Sequence, residues 1–148
     1  MINEPLFTPK LIFYSLMGIF IVLASYLVFP LPVSIKHAVF PFIAILAILF
    51  SLLGVALIYV TVKLNIKGKL KRYLILTGAS ASGIPISAIL HNLIYGLFIY
   101  FFGNNFWDRI RLKDEPIFFF LAIIVFPILL LIGMTGSVVM FVKDREQI

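Results

Sequence analysis

Residues 73–107 read YLILTGASASGIPISAILHNLIYGLFIYFFGNNFW, thirty-five positions without a charged side chain. About 20 residues of helix, rising 1.5 Å each, cross the hydrocarbon core of a bilayer. This stretch therefore crosses once with length to spare. Outward from it, the remaining charges fall between three further uncharged windows, Leu11–Ile35, His37–Val62 and Pro116–Val142. The whole chain of 148 residues is 63% hydrophobic and 12% charged, with a mean hydropathy of +1.17. Soluble domains carry about twice that share of charge, so a water-soluble fold is excluded. The pattern predicts an all-α, polytopic transmembrane four-helix bundle. It forms one domain over 1–148, with spans at about 11–29, 40–62, 73–102 and 117–142.

Local chemistry sets the ends of these spans. Pro30 and Pro32 stop span 1, because proline donates no backbone bond and biases its predecessor away from helix. Glu4 and Lys10 offset each other ahead of span 1, and no small-residue cleavage site follows it, so it reads as a retained helix rather than a signal peptide. Gly103-Asn104-Asn105 ends span 3 as a turn cluster. Pro116 occupies the position favoured at a helix start, ahead of span 4.

Four crossings put both termini on one side. That side holds Lys10, Lys63, Lys67, Lys69, Lys71, Arg72, Lys143 and Arg145; the other holds Lys36, Arg109, Arg111 and Lys113. Basic residues concentrate on the cytoplasmic face. The expected topology is therefore multi-pass in a prokaryotic plasma membrane, with both termini cytoplasmic. The net charge of +6 then points to anionic lipid headgroups beside Lys63–Arg72, not to nucleic acid. The last loop, Phe106–Glu115, reads as an interfacial turn with an aromatic anchor. A binding loop for a partner or ligand is its alternative.

The chain contains no cysteine, which excludes thiol redox pairs and iron–sulfur ligation. Two histidines, His37 and His91, with no acidic residue inside any span, form no familiar metal-ligand set. No metal or other cofactor is expected.

Uncharged polarity gathers in span 3. Small residues four apart (Gly78/Ser82, Ala79/Gly83, Gly83/Ser87) allow close approach of helix backbones in lipid. Pro85 frees a carbonyl and predicts a kink, with Ser80, Ser82 and Ser87 nearby to satisfy it. Ser80, Ser87, His91 and Tyr95 fall on one stripe of a 3.6-residue helix. Beside it runs a slimmer packing stripe of Ala81, Pro85, Ala88, Asn92 and Gly96. His91 lies near the middle of the span, where an unsatisfied polar group costs several kcal/mol. The candidate polar site is thus Ser80, Ser87, His91, Asn92 and Tyr95, and two readings stand: hydrogen-bonding glue between helices, or a proton-relay or ligand site. The predicted packing positions are Gly78, Gly83, Pro85 and Gly96 in span 3, with Gly133, Gly136 and Ser137 in span 4. The small patches of the two spans are expected to touch, and Pro127 adds a second kink.

Thr77–Pro85, His91–Gly96 and Asp114–Phe119 together resemble uncharacterised small four-span integral membrane proteins of bacteria and archaea. The resemblance covers the second half of the chain. It implies a fold and a membrane location, and carries no activity. Characterised four-span families need groups this chain lacks. Small multidrug exporters carry a Glu within span 1, and vitamin K epoxide reductase relatives carry a cysteine pair. Function is accordingly expected to be that of a non-enzymatic subunit or scaffold, partnered by lipid, by a second copy or by a membrane complex. The alternative is a small channel or transporter whose pathway follows span 3. A third reading is a lipid-modifying enzyme with His91 as base, for which span 3 offers no carboxylate.

Overall fold

A computed structural model describes residues 7–146, with side chains through 143. Glu4 and the side chains of Asp144, Arg145 and Glu146 lie outside the described residues. The chain forms four long helical crossings: α1 (Phe7–Val28), α2 (Val33–Lys63), α3 (Gly68–Phe102), and a fourth made of three consecutive pieces. These pieces are α5 (Pro116–Phe120), one π-helical turn at Leu121–Val125, and α6 (Phe126–Glu146). A short α4 (Phe106–Arg109) lies in the last loop. All four crossings are long and apolar enough to span a membrane, as in a multi-pass membrane protein. The fold is an all-α four-helix bundle.

Helices α2 and α3 begin earlier than predicted, at Val33 rather than about 40 and at Gly68 rather than about 73. Lys36 and His37 lie in the first turns of α2, and Lys69, Lys71 and Arg72 in those of α3. Charge marks the edge of an apolar stretch; it does not end a helix. The turn between them is tight. Asn65 and Gly68 adopt positive φ (52° and 71°), conformations that Asn tolerates and Gly adopts freely.

Packing runs in chain order: α1 on α2, α2 on α3, and α3 on the fourth crossing. Helix α3 is the central element. Its small residues let both neighbours close on it. A Cβ built on Gly78 would lie 2.5 Å from the Gly54 carbonyl oxygen, and one on Gly54 would lie 2.6 Å from that of Gly78. On the other face, a Cβ on Gly133 would lie 2.8 Å from the Thr77 amide nitrogen, and one on Gly136 would strike the Tyr73 ring. Gly83 takes the ring of Phe126, 2.7 Å from its built Cβ. The expected touching of spans 3 and 4 therefore occurs through Gly133 and Gly136 against Tyr73–Thr77. Gly78 instead packs on Gly54 of α2. Ser137 is fully buried.

Helix α3 continues unbroken through Pro85. Among the described side chains, no serine reaches its freed carbonyl. Ser82 Oγ bonds the carbonyls of Gly78 and Ser51, both at 3.0 Å, and Ser80 Oγ is buried without a partner. The predicted second disturbance does interrupt the α pattern, since the π turn ends two residues before Pro127. Proline at 127 removes a backbone donor and crowds the carbonyl of residue 123, which lies inside that turn.

Candidate functional site

Ser80, Ser87, His91 and Tyr95 share one face of α3, turned toward the fourth crossing and α4. Ser80 and Ser87 are buried there, while His91 and Tyr95 are half-buried. Asn92 departs from this group. It is exposed and donates to the carbonyl of its own helix at Ala88, 2.8 Å away. Gly96 also departs from its predicted packing role, because nothing lies within 4 Å of a Cβ built on it. The α2-facing side of α3, covered at Gly78 and Ser82, is uncovered at Ala88, Asn92 and Gly96.

His91 meets two acids that sequence reasoning kept out of the spans. Its Nδ1 lies 3.0 Å from the Glu115 carbonyl oxygen and 3.4 Å from Glu115 Oε2; its Nε2 lies 3.4 Å from Asp114 Oδ2. The acids reach it because the last loop does not project outward. Gly103 closes α3 at φ 89°, and Arg109 caps the exposed end of that helix by donating from Nη2 to the Phe102 carbonyl at 2.5 Å. A cation there complements the negative end of the helix dipole. The chain then doubles back beside α3. Trp107 stacks on Tyr95 (centroids 5.7 Å apart) and donates from its indole nitrogen to the Tyr95 carbonyl at 3.4 Å. The aromatic anchor of the loop thus turns inward, buried to 7% exposure. Phe98, Phe102 and Phe106 pack around it, with centroids about 5 Å apart.

Glu115 is the pivot of the site. At 4% exposure it N-caps α5, with Oε1 accepting from the Ile117 amide (2.8 Å) and Oε2 from that of Phe118 (2.9 Å). Pro116 follows at the first helical position, where no amide is needed. Two of the orphan donors at the start of the fourth crossing are satisfied in this way, and the carboxylate complements the positive helix end. Carbonyl and carboxylate oxygens thus face both ring nitrogens of His91. Phe119 covers the imidazole, with centroids 5.4 Å apart. Among the described residues no group of three or more His, Cys, Asp or Glu is arranged to hold a metal.

The signal that could have found this arrangement is the run Asp114-Glu115-Pro116. An acid immediately before a proline at a helix start is a capping pattern with a mechanism, and its spacing from Gly103 leaves room for the loop to return. Toward the other end of the bundle, two buried threonines bond within their own helices. Thr61 bonds the Leu57 carbonyl and Thr77 that of Tyr73, each one turn back on its own helix. Ser80 and Ser137 differ, with oxygens that are buried and unpartnered among the described side chains.

Comparison of the chain with models of known protein families, with curated proteins and with solved structures returns no match. The arrangement of residues is therefore the ground on which a function is argued.

Proposed function

We propose that this is an integral membrane protein acting as a non-enzymatic subunit or scaffold, seated in a prokaryotic plasma membrane with both termini cytoplasmic. One observation carries the reading: His91 of α3 is tied to the residues that open the fourth crossing. Both nitrogens of His91 face Glu115 or Asp114, so neither is free to take a proton from Ser87 or a substrate. Asn92 bonds its own backbone. From Tyr73 to Tyr95 the helix rises about 33 Å, close to the roughly 30 Å of a hydrocarbon core. That placement puts Trp107 and Tyr95 at one boundary and His91 one turn inside it, where a satisfied imidazole is an interhelical tie.

A second reading, a small channel or transporter along α3, draws support from the π turn beside the site and from the unpartnered Ser80, since π turns recur at functional sites. The double variant H91A/N92A in reconstituted vesicles separates the two. Under the subunit reading, proton and solute flux stay at the level of the unaltered protein while the unfolding midpoint in detergent falls. A change in flux with unchanged stability favours transport. Co-purification in native lipid then asks directly for a stable protein partner.

Orientation has its own test. With no cysteine in the chain, single-cysteine variants need no background correction. A cysteine replacing Lys69 is expected to be shielded from an impermeant maleimide in intact cells, and one replacing Lys113 to be labelled. The reverse pattern inverts the topology.

A further inference from the structure

Between Tyr73 and Tyr95 most polar side chains of α3 turn into the protein: Thr77, Ser80, Ser82 and Ser87 are buried, and His91 is half-buried. Asn92 is exposed. It stands level with His91, on the membrane side of Tyr95, and its surface neighbours Ile89 and Leu93 are exposed and apolar. Its surroundings are therefore hydrocarbon. A carboxamide offers two N–H donors and a carbonyl acceptor. One N–H of Asn92 goes to the Ala88 carbonyl of its own helix, 2.8 Å away. Among the described residues, its second N–H and its Oδ1 meet no partner. Polar groups left unpaired in hydrocarbon are costly, so the amide selects a neighbour that both donates and accepts. An acyl chain does neither.

The backbone around Asn92 leaves room for such a neighbour to come close. Ala88 lies one turn before it and Gly96 one turn after, both exposed, and nothing stands within 4 Å of a Cβ built on Gly96. This surface continues the one that α2 already occupies. There Gly78 meets Gly54, and Ser82 bonds the Ser51 carbonyl; from Ala88 onward α2 no longer covers it. Small residues one turn apart let helices approach closely in lipid, and an Asn between them adds an interhelical hydrogen bond. A second copy of the chain is the occupant that fits. Copies inserted with the same topology present Asn92 at the same depth. A twofold axis along the membrane normal then sets like against like, as in a closed dimer. Two facing carboxamides exchange N–H···O bonds in both directions, which satisfies the groups that one chain leaves open. A helix of another sequence meets that demand only with a polar group at this one depth.

We infer that the chain forms a twofold dimer through the Ala88–Asn92–Gly96 face of α3, with Asn92 paired amide to amide with Asn92 of the partner subunit. The inference rests on the membrane reading above but is independent of the subunit reading. Its test uses the full chain in vesicles of equimolar phosphatidylcholine and phosphatidylglycerol. Donor- and acceptor-labelled copies, each carrying Lys69→Cys in a chain without other cysteines, are mixed and then diluted with lipid. Energy transfer is expected to fall along a monomer–dimer curve. Asn92→Ala removes no contact to another helix of its own chain, and is expected to weaken the dimer about tenfold, the scale of one hydrogen bond between membrane helices. Gly96→Leu has open space within its own chain, and is expected to abolish transfer. On oxidation, Ala88→Cys and Gly96→Cys are expected to give disulfide-linked dimers, and Ile123→Cys, exposed on the fourth crossing, to give none. Transfer no greater than chance encounter at every dilution overturns the proposal, as does a dimer that either Asn92→Ala or Gly96→Leu leaves unchanged. Dimers linked through Ile123→Cys in place of Ala88→Cys overturn it too, as does a link from Ala88→Cys in native membranes to a different protein alone. Flotation of the unaltered protein with the vesicles is read separately, and its failure overturns the membrane reading together with the dimer.

Discussion

Alanine at Gly54 or at Gly78 is expected to cost the bundle about 2–3 kcal/mol, the upper part of the range for overpacking a close contact. The reason is what the new methyl group meets. At Gly54 it would lie 2.6 Å from the Gly78 carbonyl oxygen and 3.0 Å from the Ser82 amide nitrogen. Backbone cannot rotate aside, so α2 and α3 must separate. Separation also stretches the 3.0 Å bond from Ser82 to the Ser51 carbonyl. The two substitutions disturb one contact, so the double variant should cost much less than their sum. Gly133→Ala, meeting the Thr77 backbone, belongs to the same class. Gly83→Ala and Gly136→Ala meet the rings of Phe126 and Tyr73, which can tilt, and should cost less. Gly18→Ala and Gly96→Ala meet nothing within 4 Å. They should be neutral or gain up to about 1 kcal/mol from helix propensity. Reversible unfolding in mixed micelles measures the series. A flat response across the seven glycines would falsify the packing scheme.

The same residues show what the sequence could and could not disclose. Four crossings, their order, the stop at Pro30-Leu31-Pro32 and the start at Pro116 follow from runs of apolar residues and from proline chemistry. Those signals are local. Which face of each helix meets which neighbour is not local, and in an apolar helix the usual guide is missing. A soluble helix marks its buried face with a hydrophobic stripe; a helix bathed in lipid is apolar all round. Small residues are the substitute marker, and they located the crowded side of α3. They could not choose between α2 and α6 for Gly78, because Gly54 is the single glycine of α2 and forms no small-residue patch like that of Gly133–Ser137. Asn92 and His91 are adjacent in sequence, and the 100° step between neighbours on a helix sends one outward and the other to Glu115. The returning loop was illegible for another reason. Its charges suggest a segment facing water, yet Trp107 and Glu115 are buried through contacts with Tyr95 and His91 more than ten residues away.

Removal of the Glu115 carboxylate is the second large expected effect. Glu115→Ala leaves the amides of Ile117 and Phe118 without acceptors and takes the side-chain oxygen from His91. Loss of a helix cap alone costs about 0.5–2 kcal/mol, and hydrogen bonds to charged groups contribute about 1.5–3 kcal/mol. Because both roles fall on one buried group, a loss of about 3 kcal/mol is expected, short of the plain sum since the parts are coupled. Glu115→Gln keeps an acceptor for the cap while removing the charge, and should lose roughly half as much. Asp114→Asn should change little, because Asp114 is half exposed and its 3.4 Å contact with His91 is a surface pair worth about 0–1 kcal/mol. A cycle of Glu115→Gln, His91→Ala and the double variant isolates the part of the tie between α3 and the fourth crossing that the Glu115 carboxylate makes. A coupling near 1 kcal/mol matches a single interhelical hydrogen bond in a membrane. A coupling near zero would leave the Glu115 carboxylate as a helix cap alone, with the tie to His91 carried by the backbone carbonyl of Glu115 at 3.0 Å.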